Sequence, residues 1–276
     1  MSSVQHRTVL PYTQFAKAYD VTLGIPSLVR TRKIFETLVR QYGIRFQNAA
    51  DLGCGTGLFA CYLSRCWSVP VFGVDRSPEM LEVARRNCRG SNVCLLRQDI
   101  RCLRLPCLVD LATANFDTLN HLVDDADLRL AFRRISENLR PGGHLFFDLV
   151  TPCQPLGGFR GYTRRFPAAG DRVLQRIRWD PTRRILSIVV IVRSPGSRLP
   201  TMEAHRERAY SPAEVARWLS DAGFVIRGVH DAATLHVAAG CPPRMIVVAR
   251  KMPDARRALI FSDVNAAIPM GGVKCT

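Results

Sequence analysis

Seven consecutive residues of this chain, Asp51-Leu52-Gly53-Cys54-Gly55-Thr56-Gly57, have the makings of a ligand cradle. Glycines at alternate positions leave no side chains between backbone and ligand, so a small molecule can lie directly against the turn. The dinucleotide fingerprint Gly-x-Gly-x-x-Gly would need a glycine at position 58, and that position is Leu58. The turn is therefore the tighter Gly-x-Gly-x-Gly variant. Two acids follow at comparable places, Asp75 after the apolar run 69–74 and Asp99 after 93–96. A further constellation, Asn115-Phe116-Asp117-Thr118-Leu119-Asn120-His121-Leu122, closes the next apolar run. An imidazole there has a pKa suited to general base catalysis near neutral pH.

Positioning these residues requires strands and helices in alternation. Residues 48–52 read as the end of a first strand, and 58–66 as the helix after the glycine turn. The second strand covers 69–74, and Ser77-Pro78 then opens a helix through Leu81, Val83 and Ala84, with an N-cap hydroxyl and a proline in the first turn. Residues 93–96, 108–114 and 144–150 predict three more strands, with a helix over 128–139 stopped by Arg140-Pro141-Gly142-Gly143. That rhythm means an α/β fold, a parallel sheet with helices on both faces. A helix over 212–222 precedes strands at 224–229 and 244–249. Their linker holds Gly240, Pro242 and Pro243, a poor place for a crossover helix, so the last strand should run antiparallel.

Two segments decorate this frame. Residues 11–42 place Phe15, Ala18, Tyr19, Leu23, Leu28, Ile34, Leu38 and Tyr42 at helical intervals, which predicts one or two helices covering the entrance of the sheet. Residues 172–179 and 184–192 flank Asp180-Pro181-Thr182-Arg183 as an antiparallel hairpin, with 202–209 as a third strand. We expect one domain over 1–250, with a helical cover over 1–45, an inserted β lid over 155–208, and a C-terminal tail over 251–276.

Composition narrows the class. At 276 residues the chain can bury one sizeable core. No apolar run is long enough to span a bilayer, and no N-terminal signal region stands out, so a cytoplasmic protein without membrane contact is expected. Ten cysteines without one Cys-x-x-Cys pair argue against zinc and predict mostly reduced, buried thiols. Net charge is +16, and residues 160–208 hold 12 Arg against four acids, half of the excess. Arginines on strands are usually a solvated face; the sharper reading is an acceptor that is anionic or tethered to an acidic carrier protein.

Taken in order, the glycine turn, Asp75, Asp99 and the closing hairpin resemble class I S-adenosylmethionine (AdoMet)-dependent methyltransferases, with a Rossmann-like sheet. The resemblance implies that Gly53, Gly55 and Gly57 hold the methionine part of AdoMet. Asp51 would accept from its ammonium directly or through water, and Asp75 would accept both ribose hydroxyls. Met80, in the run Asp75 to Leu81, would lie against adenine; Asp99 would accept from the exocyclic amine and the Ile100 amide would donate to the ring. Cys54, a small space-filling residue in the turn, completes the expected cofactor contacts with Tyr19, Arg76, Asn115 and Phe116.

Methyltransferases acting on nucleic-acid bases or glutamine amides carry an Asn/Asp-Pro-Pro-Tyr/Phe motif after the fourth strand, and this chain has no prolines there. The segment is similar instead to that of small-molecule N- and O-methyltransferases, particularly the sugar-amine N,N-dimethyltransferases. That resemblance implies catalytic roles for His121, facing the acceptor, and for Tyr12 or Tyr19 on its other side. Asp117 is a candidate Mg²⁺ ligand without an evident second acid, so no metal is expected. His205 and Glu207 alternate on one face of the third lid strand and could reach the pocket. The expected partner is a small-molecule acceptor; nucleic acid is set aside for want of an RNA-binding appendage, and a homodimer stays open. Three rivals stay open too: an RNA methyltransferase, an AdoMet-consuming cyclase without methyl transfer, and a non-catalytic AdoMet-binding protein.

Overall fold

The computed structural model describes residues 6–153, 161–168 and 171–253. The elements run β1 (Arg7–Val9), α1 (Ala16–Tyr19), α2 (Ile25–Gln41), β2 (Ala49–Leu52), α3 (Leu58–Trp67), β3 (Val71–Asp75), α4 (Pro78–Asn87), β4 (Val93–Arg97), β5 (Val109–Ala114) and α5 (Asp125–Asn138). They continue with β6 (Leu139–Val150), β7 (Tyr162–Ala168), β8 (Asp171–Asp180), β9 (Ile185–Arg193), β10 (Thr201–Arg208), α6 (Pro212–Asp221), β11 (Phe224–Asp231) and β12 (Arg244–Lys251).

A seven-stranded sheet in the order β11-β12-β6-β5-β2-β3-β4 forms the centre. As expected, only the last strand breaks the parallel arrangement, pairing antiparallel with β6 and β11. All four residues of the central β2 are buried, which accounts for its small, mostly apolar sequence. Phe146 and Phe147 on β6 point to opposite faces and anchor the two apolar layers, one with Phe35 and Phe59, the other with Phe132 and Trp218.

Helix ends follow local chemistry. Ser77 caps α4 by accepting the Met80 amide at 3.1 Å, and Ser211 and Glu214 form a reciprocal capping box on α6. The helix expected over 128–139 starts earlier, at Asp125, and stops at Asn138. Arg140-Pro141-Gly142-Gly143 lies inside β6 rather than before it, with Gly142 at φ +81°. The Asn138 side chain explains the early stop: it accepts the Leu105 amide at 2.7 Å and donates to the Leu103 carbonyl at 3.1 Å, tying the helix end to the preceding loop.

The N-terminal helices form an almost unbroken run from Ala16 to Gln41, interrupted by a π turn over Asp20–Gly24. Thr22 contributes there by donating its hydroxyl to the Ala18 and Tyr19 carbonyls. The lid is a second sheet, ordered β1-β10-β9-β8-β7, two strands larger than the sequence predicts. The three-residue β1 joins β10 in parallel, Arg7 opposite Thr201, and a strand so short has no periodicity to read. Val173, Gln175 and Ile177 of β8 face inward while Arg172, Arg176 and Arg178 are exposed, so these arginines form the solvated face. The parts of the lid at 154–160 and 169–170, and the tail from 254, lie outside the described residues.

The cysteine expectation is corrected. Cys61 is disulfide-bonded to Cys88 and Cys153 to Cys241, with Cα separations of 5.5 and 5.9 Å, and Cys66, Cys94, Cys102 and Cys107 are exposed. Partners 27 and 88 residues apart carry no signature in their spacing. Among the described residues no helix is long and apolar enough to cross a membrane.

Candidate active site

The glycine turn joins β2 to α3 with Gly53, Gly55 and Gly57 all at positive φ, +65°, +53° and +78°. Each serves a different neighbour. A Cβ on Gly53 would sit 2.4 Å from Thr118, and one on Gly57 would meet Cys88 Sγ at 2.8 Å, so these two are required by packing. A Cβ on Gly55 would meet only Met80 Sδ, at 4.0 Å, and otherwise project into open space. That space is a cavity of about 460 Å³ along the C-terminal ends of β2 to β5.

The expected cofactor residues Tyr19, Gly53, Cys54, Gly55, Asp75, Arg76, Met80, Asp99, Ile100, Asn115 and Phe116 all line this cavity. Asp75 accepts the Gly55 amide at 2.9 Å and the Ser77 amide at 2.8 Å; burial raises its pKa despite them. Asp99 is engaged by Arg101 through both oxygens, at 3.0 and 2.7 Å, and Arg101 also reaches Asp127. Asp51 and Gly57 do not line the cavity. The Asp51 carboxylate is buried beneath the turn, accepts the Thr113 hydroxyl at 2.8 Å, and is pushed by burial to a pKa of about 7.

A second cavity, of about 440 Å³, lies between the lid and the sheet. Its polar lining includes Asp117, Asp148, His205, Glu207 and Arg244, and Tyr12, Tyr19, Asn115 and Phe116 line both cavities, forming the wall between them. Phe116 and Asp117 hold positive φ of 59° and 62° at this wall, a strained pair of the kind found at functional sites. Arg244 binds both Asp117 and Asp148, filling the place where a cation between those acids would sit. Burial, reinforced by Asp117, raises the pKa of Glu207; burial likewise raises Asp148, against the pull of Arg244. Among the described residues no cluster of three metal-ligating side chains occurs.

Both tyrosines reach the wall, and their roles separate. Tyr12 Oη lies 2.9 Å from His121 Nε2, while Tyr19 packs edge-on against Tyr12 with ring centroids 6.1 Å apart. Burial, then His205, lowers the His121 pKa to about 4, so the ring is neutral at pH 7. Which of the two donates in the Tyr12–His121 bond follows the tautomer of the neutral ring. Sequence reasoning missed Asp148, Arg244 and Glu203. A lone acid in the apolar strand His144-Leu145-Phe146-Phe147-Asp148-Leu149-Val150 was a signal that something must pair with it.

Residues 49–143 match the methyltransferase domain family. This segment is a methyltransferase domain. Over 88% of its length the chain is 25% identical to a protein of Geobacillus sp. (strain WCH70) named as a methyltransferase, and covers 100% of that protein. The domain and its lid superpose on an S-adenosylmethionine-dependent methyltransferase from Clostridium acetobutylicum ATCC 824 with a TM-score of 0.73, at 22% identity, over 88% of this chain and 99% of that one. They also superpose on the sugar N-methyltransferase KedS8 from Streptoalloteichus sp ATCC 53650, with a TM-score of 0.65 at 20% identity, over 92% and 98%. The methyltransferase domain thus has the class I fold, shared with a Clostridium acetobutylicum protein that is S-adenosylmethionine-dependent. The residues present suit that cofactor: the cradle above Gly55 is open, and both polar side-chain atoms of buried Asn115 lack a partner at the cavity wall.

Proposed function

We propose that this chain transfers the methyl group of S-adenosylmethionine to an amine nitrogen of a small molecule held under the lid. The observation that carries the reading is the shared wall of Tyr12, Tyr19, Asn115 and Phe116 between a cofactor cavity and a second cavity lined by Asp117, Asp148 and Glu207. Bound on the glycine turn, Asp75 and Met80, the cofactor supplies an electrophilic methyl group on a sulfonium, open to in-line displacement. An amine arrives largely as an ammonium ion, whose nitrogen has no free electron pair. The carboxylates under the lid attract that cation, and Glu207, with its raised pKa, is suited to take the proton as the N–H bond breaks. His121 is less suited, because its Nε2 is already engaged by the Tyr12 hydroxyl and its pKa is low. The Tyr12 and His121 pair instead fixes the wall, and proximity supplies much of the acceleration.

An anionic acceptor draws its support from Arg164, Arg30 and Arg244, which line the same cavity. Arg30 and Arg244 are already bound to the Ala232 carbonyl and to the two aspartates, which favours the ammonium. The name of KedS8 points the same way, to an amino sugar. S-adenosylmethionine is an intracellular metabolite, which supports a cytoplasmic site of action.

The test is turnover on a panel of amino sugars, simple amines and the matching alcohols, followed by release of S-adenosylhomocysteine and by product mass. Methylated amines are expected. Methylation of the alcohols alone, or no transfer to any amine, would sink the reading.

A further inference from the structure

A fully buried carboxylate lies directly behind the wall, in a place that neither cavity uses. Glu203 on β10 is 0% exposed, and no arginine or lysine pairs with it among the described residues. Its oxygens accept instead from three main-chain amides of one short segment: Tyr12 at 2.7 Å on Oε2, and Gln14 at 2.7 Å and Phe15 at 2.9 Å on Oε1. His205 Nε2 lies 3.3 Å from Oε2, and the His205 ring packs against Tyr12 with centroids 4.6 Å apart.

We infer that Glu203 is the positioning residue of the active-site wall, gripping the backbone of residues 12–15 so that the Tyr12 hydroxyl meets His121. The inference rests on the reading of that wall as the boundary between donor and acceptor. Converging amides form an anion-binding nest, here filled by a side chain of the chain itself. Phe15 stands at the N-cap of the helical run that begins at Ala16 and finds no cap in its own side chain, so Glu203 serves that end too. Capping alone does not account for the contact with Tyr12, which lies three residues before Phe15 and outside the helix. Tyr12 sits at φ +63°, a conformation that a non-glycine residue holds only when its surroundings compel it. The Glu203 bond to its amide is part of that compulsion. Leu10, Pro11, Tyr12 and Thr13 also line the cofactor cavity, so the same grip shapes the donor site.

Burial by itself would raise the Glu203 pKa, but the His205 contact and the three amides outweigh it and hold the carboxyl below 4.5. The group is therefore ionised at neutral pH, and its bonds to the amides are charge-assisted. Glu203→Gln keeps the shape, removes the charge, and turns an NH2 group toward amides that also donate.

Three measurements on the intact chain test this, none needing the acceptor. In Glu203→Gln, the affinity for S-adenosylhomocysteine should fall roughly tenfold or more, the loss expected of a buried charge-assisted bond. Proteolytic cleavage between residues 8 and 14 should accelerate. The His121 ring, followed by NMR, should titrate higher than about 4 once Tyr12 no longer covers it; His205, Asp117, Glu207 and Arg76 are the other charged groups facing it. Glu203→Asp retains the charge and should recover most of the binding. Unchanged affinity, protection and His121 titration in Glu203→Gln would overturn the inference. So would equal loss of binding and melting temperature in both variants, the mark of a merely structural role. Because these readouts use only the protein and S-adenosylhomocysteine, a wrong choice of acceptor would leave them intact.

Discussion

The Tyr12 hydroxyl is hydrogen-bonded to Nε2 of His121 across 2.9 Å, joining residues 109 positions apart at the wall between the two cavities. Each removes freedom from the other: the imidazole, kept neutral by burial, is held in orientation, and the tyrosine is held over the site. A double-mutant cycle should read that bond. Tyr12→Phe and His121→Asn are each expected to lower kcat, and the pair should cost less than the sum, with a coupling of about 1 kcal/mol or roughly fivefold. Strict additivity would show that the two act separately.

Glu207 should govern the acidic limb of the rate profile. Its folded pKa is raised by burial and by Asp117, with Arg244 opposing and Asp148 adding to the rise; His121 Nε2 also faces it, at 3.8 Å. Below that raised pKa the carboxyl is protonated and cannot accept the ammonium proton, so kcat should climb with pH through it. Glu207→Gln should flatten this limb and lower kcat by about 10²-fold or more. A profile identical to the parent chain would remove Glu207 from proton transfer.

The glycine turn offers two substitutions with opposite signatures. Gly53→Ala forces a Cβ into Thr118 and should cost about 2 kcal/mol or more in unfolding free energy. Gly55→Ala meets no protein atom closer than 4.0 Å and should fold with a smaller loss, about 1 kcal/mol, while S-adenosylhomocysteine binding falls sharply. Calorimetry on both variants separates packing from binding.

Asp51 couples stability to pH. Its pKa is about 7 in the fold against 3.8 in the unfolded chain, so between those values the native state holds the extra proton and stability declines as pH rises. Asp51→Asn should therefore melt several degrees above the parent at pH 8 and differ little at pH 4. If the carboxylate also serves the cofactor's ammonium, the same variant should bind S-adenosylhomocysteine more weakly. Equal melting temperatures at pH 8 would contradict the burial argument.

Arg244→Met should leave Asp117 and Asp148 facing each other without a cation, at a cost of about 3–5 kcal/mol. Adding Asp148→Asn should return part of it. Thermal melts of the single and double variants check both statements, and a neutral Arg244→Met would show that the network is solvated.

The central sheet and the cofactor cradle were legible because their signals are local. Three glycines with positive φ, an acid after each apolar run and a proline-marked linker are read within a few residues of one another. The acceptor side was legible only in part. His205 and Glu207 announce themselves by alternation on β10, but Glu203, on the same face, is explained by amides about 190 residues away. Asp148 finds Arg244 across 96 positions, and Cys153 finds Cys241 across 88. No period in the chain encodes such meetings. Tyr12 and Tyr19 could not be ranked from sequence because seven residues apart they look alike; a left-handed backbone at one of them distinguishes the two.

The strand at Arg7–Val9 carries a consequence for how the molecule is built. Among the described strands it is made first, yet its partner, Thr201–Glu203, emerges almost two hundred residues later. The roof of the donor cavity, hung from that strand, is therefore synthesised long before it is installed, and pairing at such separation is slow. A nascent chain can complete its glycine turn and main strands well before it can close over a cofactor. Enclosure of the methyl donor is thus deferred until the strand bearing Glu203, His205 and Glu207 exists.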